Sequence, residues 1–190
     1  MATEIEVKFR VADPQTLRRR LAAAGFREET PRTFERNVLY DTPDRRLRAQ
    51  TAILRVRRYG ERWVVTFKCL PQNNDPAARH KHREETETQV QDGEAIGHIF
   101  TQLGYTEAFV YEKWRTEYAD STGHCVLDET PIGIYAELEG PPDWIDATGN
   151  KLGIDPADFI TLSYGRLFEQ WKKDTGSPAE NLTFAEIPAP

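Results

Sequence analysis

The sequence predicts an α+β protein in which about eight antiparallel strands close on themselves into a barrel, with helices packed outside. Three observations carry this. Segment after segment alternates charged and apolar residues with a period of two, the repeat of a strand with two unlike faces. The strands do not alternate regularly with helices, as a parallel sheet requires. The two halves of the chain also look alike, as duplicated β-α-β-β-β units would. Many short strands with few helices are resolved most simply by closure, which removes sheet edges.

The first strand is TEIEVKFRV at residues 3–11. Glu4, Glu6, Lys8 and Arg10 share one parity, and Ile5, Val7, Phe9 and Val11 the other. A helix follows: Asp13 can cap it, Pro14 suits its first position, Leu17 and Leu21 share a side, and Gly25 stops it. FERNVLYD (34–41) reads as a strand and the DTPD that begins at Asp41 as a turn. AILRVRR (52–58) and RWVVTFKCL (62–70) are strands; PQNNDPAARH (71–80) is a loop by composition. The next strand carries Arg83, Glu85 and Glu87 on one parity. Asp92 opens a helix with Ile96, Ile99, Phe100 and Leu103 at helical spacing, ended by Gly104. Three strands follow, at 109–119, 124–129 and 134–139. PPDW reads as a turn, and Asp155-Pro156 opens a third, last helix through about Trp171. Residues 1–176 are expected to form the domain and 177–190 a loose tail. The repeat rests on spacing: Glu4-x-Glu6 recurs as Glu85-x-Glu87, and Gly25-Phe26 as Gly104-Tyr105.

Composition narrows the function. At 190 residues the chain makes one domain, or two small ones, and can bury a core without staples. Lys plus Arg total 25 against 31 Asp plus Glu, a formal charge of −6, which argues against general nucleic-acid binding. Two cysteines without CxxC spacing make no disulfide framework. No apolar run approaches the roughly 18 residues of a membrane span. The N-terminus lacks a secretory layout. A cytoplasmic protein is the expectation.

An alternating strand ordinarily turns its charges to water. Here the charged parity repeats as Glu-Glu-Lys-Arg, Arg-Arg, Arg-Glu-Glu, Lys-Arg-Glu and Tyr-Glu-Glu, with few small polar residues between. A barrel can invert the usual arrangement, with apolar faces outward against the helices and charges around a wet lumen. Crowded carboxylates there call for a hard divalent cation, Mg²⁺ or Mn²⁺. The surplus of Lys and Arg calls for a polyanion, matched by the planar fork of Arg and the point charge of Lys. Metal plus cations in one cavity is the chemistry of a nucleotide or polyphosphate, and no GxxxxGK[ST] loop is present.

Glu4-Ile5-Glu6-Val7-Lys8 carries an ExExK motif. With Leu39-Tyr40-Asp41-Thr42-Pro43, Leu54-Arg55-Val56-Arg57, Lys68, Arg83-x-Glu85-x-Glu87, Lys113-Trp114-Arg115, Asp128, Glu137-Leu138-Glu139 and Ser163-Tyr164-Gly165-Arg166-Leu167, the chain resembles the CYTH superfamily of triphosphate tunnel metalloenzymes. The resemblance implies an eight-stranded tunnel that binds a triphosphate with one or two Mg²⁺ or Mn²⁺ ions. It implies Glu4, Glu6, Glu85, Glu87, Asp128, Glu137 and Glu139 as metal ligands. It implies Lys8, Arg36, Arg55, Arg57, Lys68, Arg83, Lys113 and Arg115 as the triphosphate clamp, Arg36 on the strand that matches least closely. Asn37 stands where relatives often carry an acid. The expected activity is triphosphate hydrolysis (tripolyphosphate, thiamine triphosphate or a nucleoside triphosphate). Glu4 and Glu6 would orient water, and Lys8 or Lys68 would hold the leaving group. The alternatives are a class IV adenylyl cyclase, with Tyr40, Tyr59, Trp63 and Tyr135 as candidate stacking surface for the base, and a barrel that binds without turnover. The outward apolar faces leave room for a homodimer. His80-Lys81-His82 reads as a solvated loop end, and Trp144 as the staple of a turn.

Overall fold

A computed structural model describes residues 2–71 and 80–187. Most of the loop read over 71–80 lies outside them. The strands are β1 (Ala2–Arg10), β2 (Arg27–Asp41), β3 (Ile53–Tyr59), β4 (Arg62–Cys69), β5 (Lys81–Val90), β6 (Thr106–Ala119), β7 (His124–Thr130) and β8 (Gly133–Glu139). They close in the order β1-β5-β4-β3-β2-β6-β7-β8, every pair antiparallel. The order is the one that two β-α-β-β-β units would give. Strands β2-β3-β4 and β6-β7-β8 are two meanders. Each half's first strand crosses to the other half's last, β1 to β8 and β5 to β4. The two seams are β1–β5 and β2–β6, where Glu4 faces Arg83 and Glu35 faces Lys113.

The helices are α1 (Pro14–Ala23), α2 (Arg46–Ala49), α3 (Gly93–Gln102), α4 (Pro142–Leu152) and α5 (Tyr164–Thr175). Asp13 caps α1 by accepting from the Gln15 and Thr16 amides, and Asp92 caps α3 by accepting from Ala95. Three helices were expected; five form among the described residues. The turn read at PPDW is the start of α4: Pro142 sits at a first-turn position, where its missing N–H costs nothing. Ile145, Thr148, Gly149 and Leu152 are its buried side, and Gly153 closes it at φ 68°. The helix expected from Asp155 to Trp171 is instead a 3₁₀ turn (Pro156–Asp158) followed by α5, which Ser163 caps.

The core lies between barrel and helices. Val7, Phe9, Leu127, Ala136 and Leu138 on outward strand faces pack with Leu17, Leu21, Ile145 and Leu152. A second cluster lies under α3, where Val38, Tyr40 and Val56 meet Ile96 and Phe100. Helix α3 sits unusually close: a Cβ at Gly97 would lie 2.3 Å from the Tyr40 hydroxyl, and one at Gly93 2.1 Å from the Trp63 ring.

The expectation of a loose tail is corrected over residues 177–187; residues 188–190 lie outside the described residues. Leu182 is fully buried and the backbone around it joins a free edge of β6, with Leu182 N–H donating to Val110 O and Glu112 N–H to Leu182 O. Ala179, Leu182 and Ile187 pack with Phe168 and Tyr111. The Glu186 carboxylate accepts the amides of Glu180 and Asn181, folding the segment back on itself. Among the described residues no helix is long and apolar enough to cross a membrane.

Candidate active site in the barrel lumen

A cavity of about 740 Å³ occupies the barrel interior. Its wall brings together seven cations, Lys8, Arg55, Arg57, Lys68, Lys81, Lys113 and Arg115. Eight carboxylates share that wall: Glu4, Glu6, Glu29, Glu85, Glu87, Glu117, Glu137 and Glu139. The alternation accounts for most of this: inward residues come mainly from the charged parity, with Leu39, Ile53, Tyr111 and Val126 also on the wall.

The charges are arranged as pairs. Lys68 Nζ donates to both Glu4 oxygens at 2.8 and 2.6 Å and lies 3.2 Å from Glu85. Lys81 pairs with Glu6, and Lys8 with Glu137. Arg57 reaches Glu87 at 3.2 Å. Arg55 donates to the Tyr111 hydroxyl at 3.2 Å and to Thr66 at 3.1 Å. Burial opposes the charge on Glu6 and Glu137, but the lysines outweigh it: Lys81 holds Glu6 below its usual range, and Lys8, with Arg115, holds Glu137 well below it.

Glu139 behaves differently. Partial desolvation, then the carboxylates of Glu4 and Glu6, push it up to about 7. It has more negative neighbours than its surroundings neutralise. Glu85 is also raised, first by desolvation, despite Lys68.

Several expectations change. Arg36 points out of the barrel: it is half exposed and lies 3.8 Å from Glu112 on the outer surface. Its strand turns Glu35, Asn37 and Leu39 inward instead. Asp128, expected among the metal ligands, is fully buried behind the cavity wall. Both its oxygens are engaged, by Lys113 (2.9 Å), Arg115 (2.7 and 2.6 Å) and the Tyr164 hydroxyl (2.7 Å). It anchors the cations of Lys113 and Arg115. Arg83 has the inward parity beside Glu4 and Glu6 but does not line the cavity, and desolvation lowers its pKa.

Lys81, Glu35 and Tyr164 were not singled out from the sequence as site residues. Lys81 shares the parity of Arg83 and Glu85, which was the available signal. Tyr164 opens α5 and places its ring 4.2 Å from Lys8 Nζ and 4.8 Å from Lys113 Nζ. His80 is not solvated: its Nε2 lies 3.0 Å from Asp146 of α4. Trp144 does not staple the turn read at PPDW, since it lies in the first turn of α4; its indole N–H donates to Asp120 at 3.0 Å.

A donor set made only of carboxylates suits a hard divalent ion. The fit is seen at Glu139, whose charge is destabilised by Glu4 and Glu6, a strain that a cation beside them would relieve. Among the described residues no three or more of the acids, histidines and cysteines stand close enough together to hold a metal ion as they are placed.

A closed eight-stranded barrel with opposed acids and cations inside defines a class of tunnel protein, and the comparisons agree. The CYTH domain model matches residues 2–141, and the chain belongs to that family. A Methanocaldococcus jannaschii protein named as a proposed adenylate cyclase is 28% identical over 137 residues, 72% of this chain and 75% of that protein. A Vibrio parahaemolyticus structure with a like name superposes with TM-score 0.74 at 18% identity, covering 87% of this chain and 97% of that one. A Hippeastrum protein, a proposed adenylyl cyclase with a dominant triphosphatase activity, gives TM-score 0.63 at 18% identity, covering 88% and 96%. At such identities these structures speak for the fold.

Proposed function

We propose that the chain is a Mg²⁺- or Mn²⁺-dependent triphosphatase that cleaves a small triphosphate inside the barrel. The observation that carries this reading is the wall itself, seven cations and eight carboxylates around one cavity. The cations fit a phosphate chain, yet among the described residues carboxylates on the wall balance them, so a polyanion would gain little net attraction from the wall alone. Glu4, Glu6 and Glu139, with Glu85 and Glu87 nearby, would hold divalent ions, which would supply further positive charge and polarise phosphate oxygens. Arg55, Arg57, Lys113 and Arg115 grip the equatorial oxygens and favour charge that spreads over them during cleavage. Lys8 Nζ and Lys68 Nζ donate hydrogen bonds to the departing oxygen. A carboxylate of Glu4 or Glu6 accepts a proton of the attacking water and orients it in line.

Cyclisation of ATP is the second reading, favoured by the names of the relatives. It needs a surface for the base. The aromatics expected to serve do not line the cavity: Tyr40 and Trp63 lie beneath α3, Tyr59 is buried, and Tyr135 is buried against Tyr164. Among the described residues only Tyr111 and Tyr164 bring phenol rings to the wall, both beside cations. Hydrolysis, which needs no base pocket, stands first.

The test is to incubate the protein separately with tripolyphosphate, thiamine triphosphate and ATP, each with Mg²⁺ or Mn²⁺. Orthophosphate release is the expected result. Cyclic AMP with pyrophosphate would establish the cyclase, and binding without product would establish a non-catalytic barrel.

A further inference from the structure

Glu35 is a fully buried carboxylate at the centre of the β2–β6 seam, behind the cavity wall. Its Oε1 lies 3.4 Å from Lys113 Nζ and accepts a hydrogen bond from Asn37 Nδ2 at 2.8 Å. Its Oε2 lies 4.0 Å from Arg115 Nε and accepts no hydrogen bond from the described residues. Burial would raise its pKa, but Lys113, then Arg115, Arg57 and Arg55, bring it down to about 2, so it is ionised at any working pH. Asp128 already anchors Lys113 and Arg115 from another side, with shorter contacts. A second buried anion with one oxygen unbonded is more than anchoring requires.

We propose that Glu35 is a fixed internal counter-anion that tempers the phosphate clamp, cancelling part of the charge on Lys113 and Arg115 so that polyphosphate products are released. Glu35 touches no substrate; it is a positioning residue that acts through the two cations. The inference rests on the triphosphate reading. A clamp that holds substrate and product alike gains nothing in turnover from tighter grip. A permanent negative charge behind the cations weakens both bound states, and product release benefits. At separations of this order inside a protein, one unit charge is worth a factor of about ten or more in the binding of an anion.

The test uses Glu35→Gln, which keeps the shape and the acceptor for Asn37 while deleting the charge. Pyrophosphate affinity with saturating Mg²⁺ is measured by calorimetry, and KM and kcat for the preferred triphosphate are measured alongside. We expect pyrophosphate to bind at least about tenfold more tightly, with KM and kcat falling together. A merely structural residue would give the opposite, weaker binding with a raised KM, and that result, or unchanged affinity, overturns the inference. Glu35→Asp supplies a second measurement should Glu35→Gln fail to fold. The shorter side chain keeps the charge but withdraws it from the two cations, which should tighten pyrophosphate about twofold or more, and weaker binding overturns the proposal. Wild-type protein that binds neither pyrophosphate nor tripolyphosphate would sink the triphosphate reading itself. Wild-type binding with an indifferent Glu35→Gln sinks only the role of Glu35.

Discussion

Replacing Asp128 by Asn distinguishes an anchor from a metal ligand. The side chain is fully buried, its partners Lys113 and Arg115 are 3% and 12% exposed, and Tyr164 donates to it at 2.7 Å. Removing one member of a buried ion pair costs about 3–5 kcal/mol, because the other is left uncompensated. Glu35 and Glu137 remain near the two cations, at 3.4 Å from Lys113 and 2.8 Å from Arg115, which favours the lower end of that range. For a chain of this size about 3 kcal/mol lowers the melting temperature by roughly 6–12 °C. Melting followed by circular dichroism, in buffer stripped of divalent ions, reads this directly. Tyr164→Phe should cost about 1.5–3 kcal/mol, the value of one hydrogen bond to a charged acceptor, and the double variant should lose less than the sum. The reasoning fails if the Asp128→Asn protein melts within about 2 °C of wild type yet no longer responds to Mg²⁺. Asp128 would then be the metal ligand that the sequence resemblance implied.

Four further outcomes are expected. Glu139 has a folded-state pKa raised from 4.5 to about 7, so its contribution to stability is intact below pH 4.5 and is lost as pH rises through 7. Protons and metal then compete: Mg²⁺ affinity should climb up to about tenfold per pH unit towards pH 7 and level off above it, and Glu139→Gln should flatten the profile; a flat wild-type titration would count against a metal role. Arg36→Ala should change kcat/KM less than about twofold, since a single exposed surface pair contributes little; a large loss would return it to the clamp. Leu182→Ala should destabilise by about 2–5 kcal/mol, as a buried core leucine does; an unchanged melting curve would restore the loose tail. Gly97→Ala should disturb α3 packing through the Tyr40 hydroxyl, and unaltered stability would show that α3 can lift away.

The inward faces of β1 and β8 were legible because each carries charge while its opposite face is apolar; elsewhere the parities are mixed, as in β5, where His82, Glu84, Thr86 and Thr88 lie opposite Lys81, Arg83, Glu85 and Glu87. Where the assignment failed, the signal was present and misread. Arg36 shares its parity with Phe34, Val38 and Tyr40, a run that could only face the helices, and this required Glu35 and Asn37 to turn inward. In the tail, Thr183 and Glu186 have capping-box spacing, and Leu182 and Ile187 supply the apolar anchors. The Pro141-Pro142 pair hid α4, since proline reads as a breaker although the first turn accepts it. Other features had no local signal. That Asp128 is saturated by Lys113, Arg115 and Tyr164 depends on β6, β7 and α5 meeting, which no spacing along the chain reveals.

Barrel closure and the charged interior are linked. Because each strand's backbone groups are satisfied by two neighbours, the inner face need not pack apolar residues to be stable. The apolar face turns outward, and helices must cover it, which is why the fully buried aliphatics Leu21, Leu138, Ile145 and Leu152 all lie between barrel and helices. The consequence is a division among the acids. Glu4, Glu85 and Glu139 face a wet cavity, so water can take the place of a lost partner, and their neutralisation should alter ion and phosphate binding more than stability. Glu35 and Asp128 lie behind that surface with no water to take over, so any change there is felt in the fold and in the clamp together. The same chemical group is therefore expected to do two jobs in one barrel, with depth from the lumen deciding which.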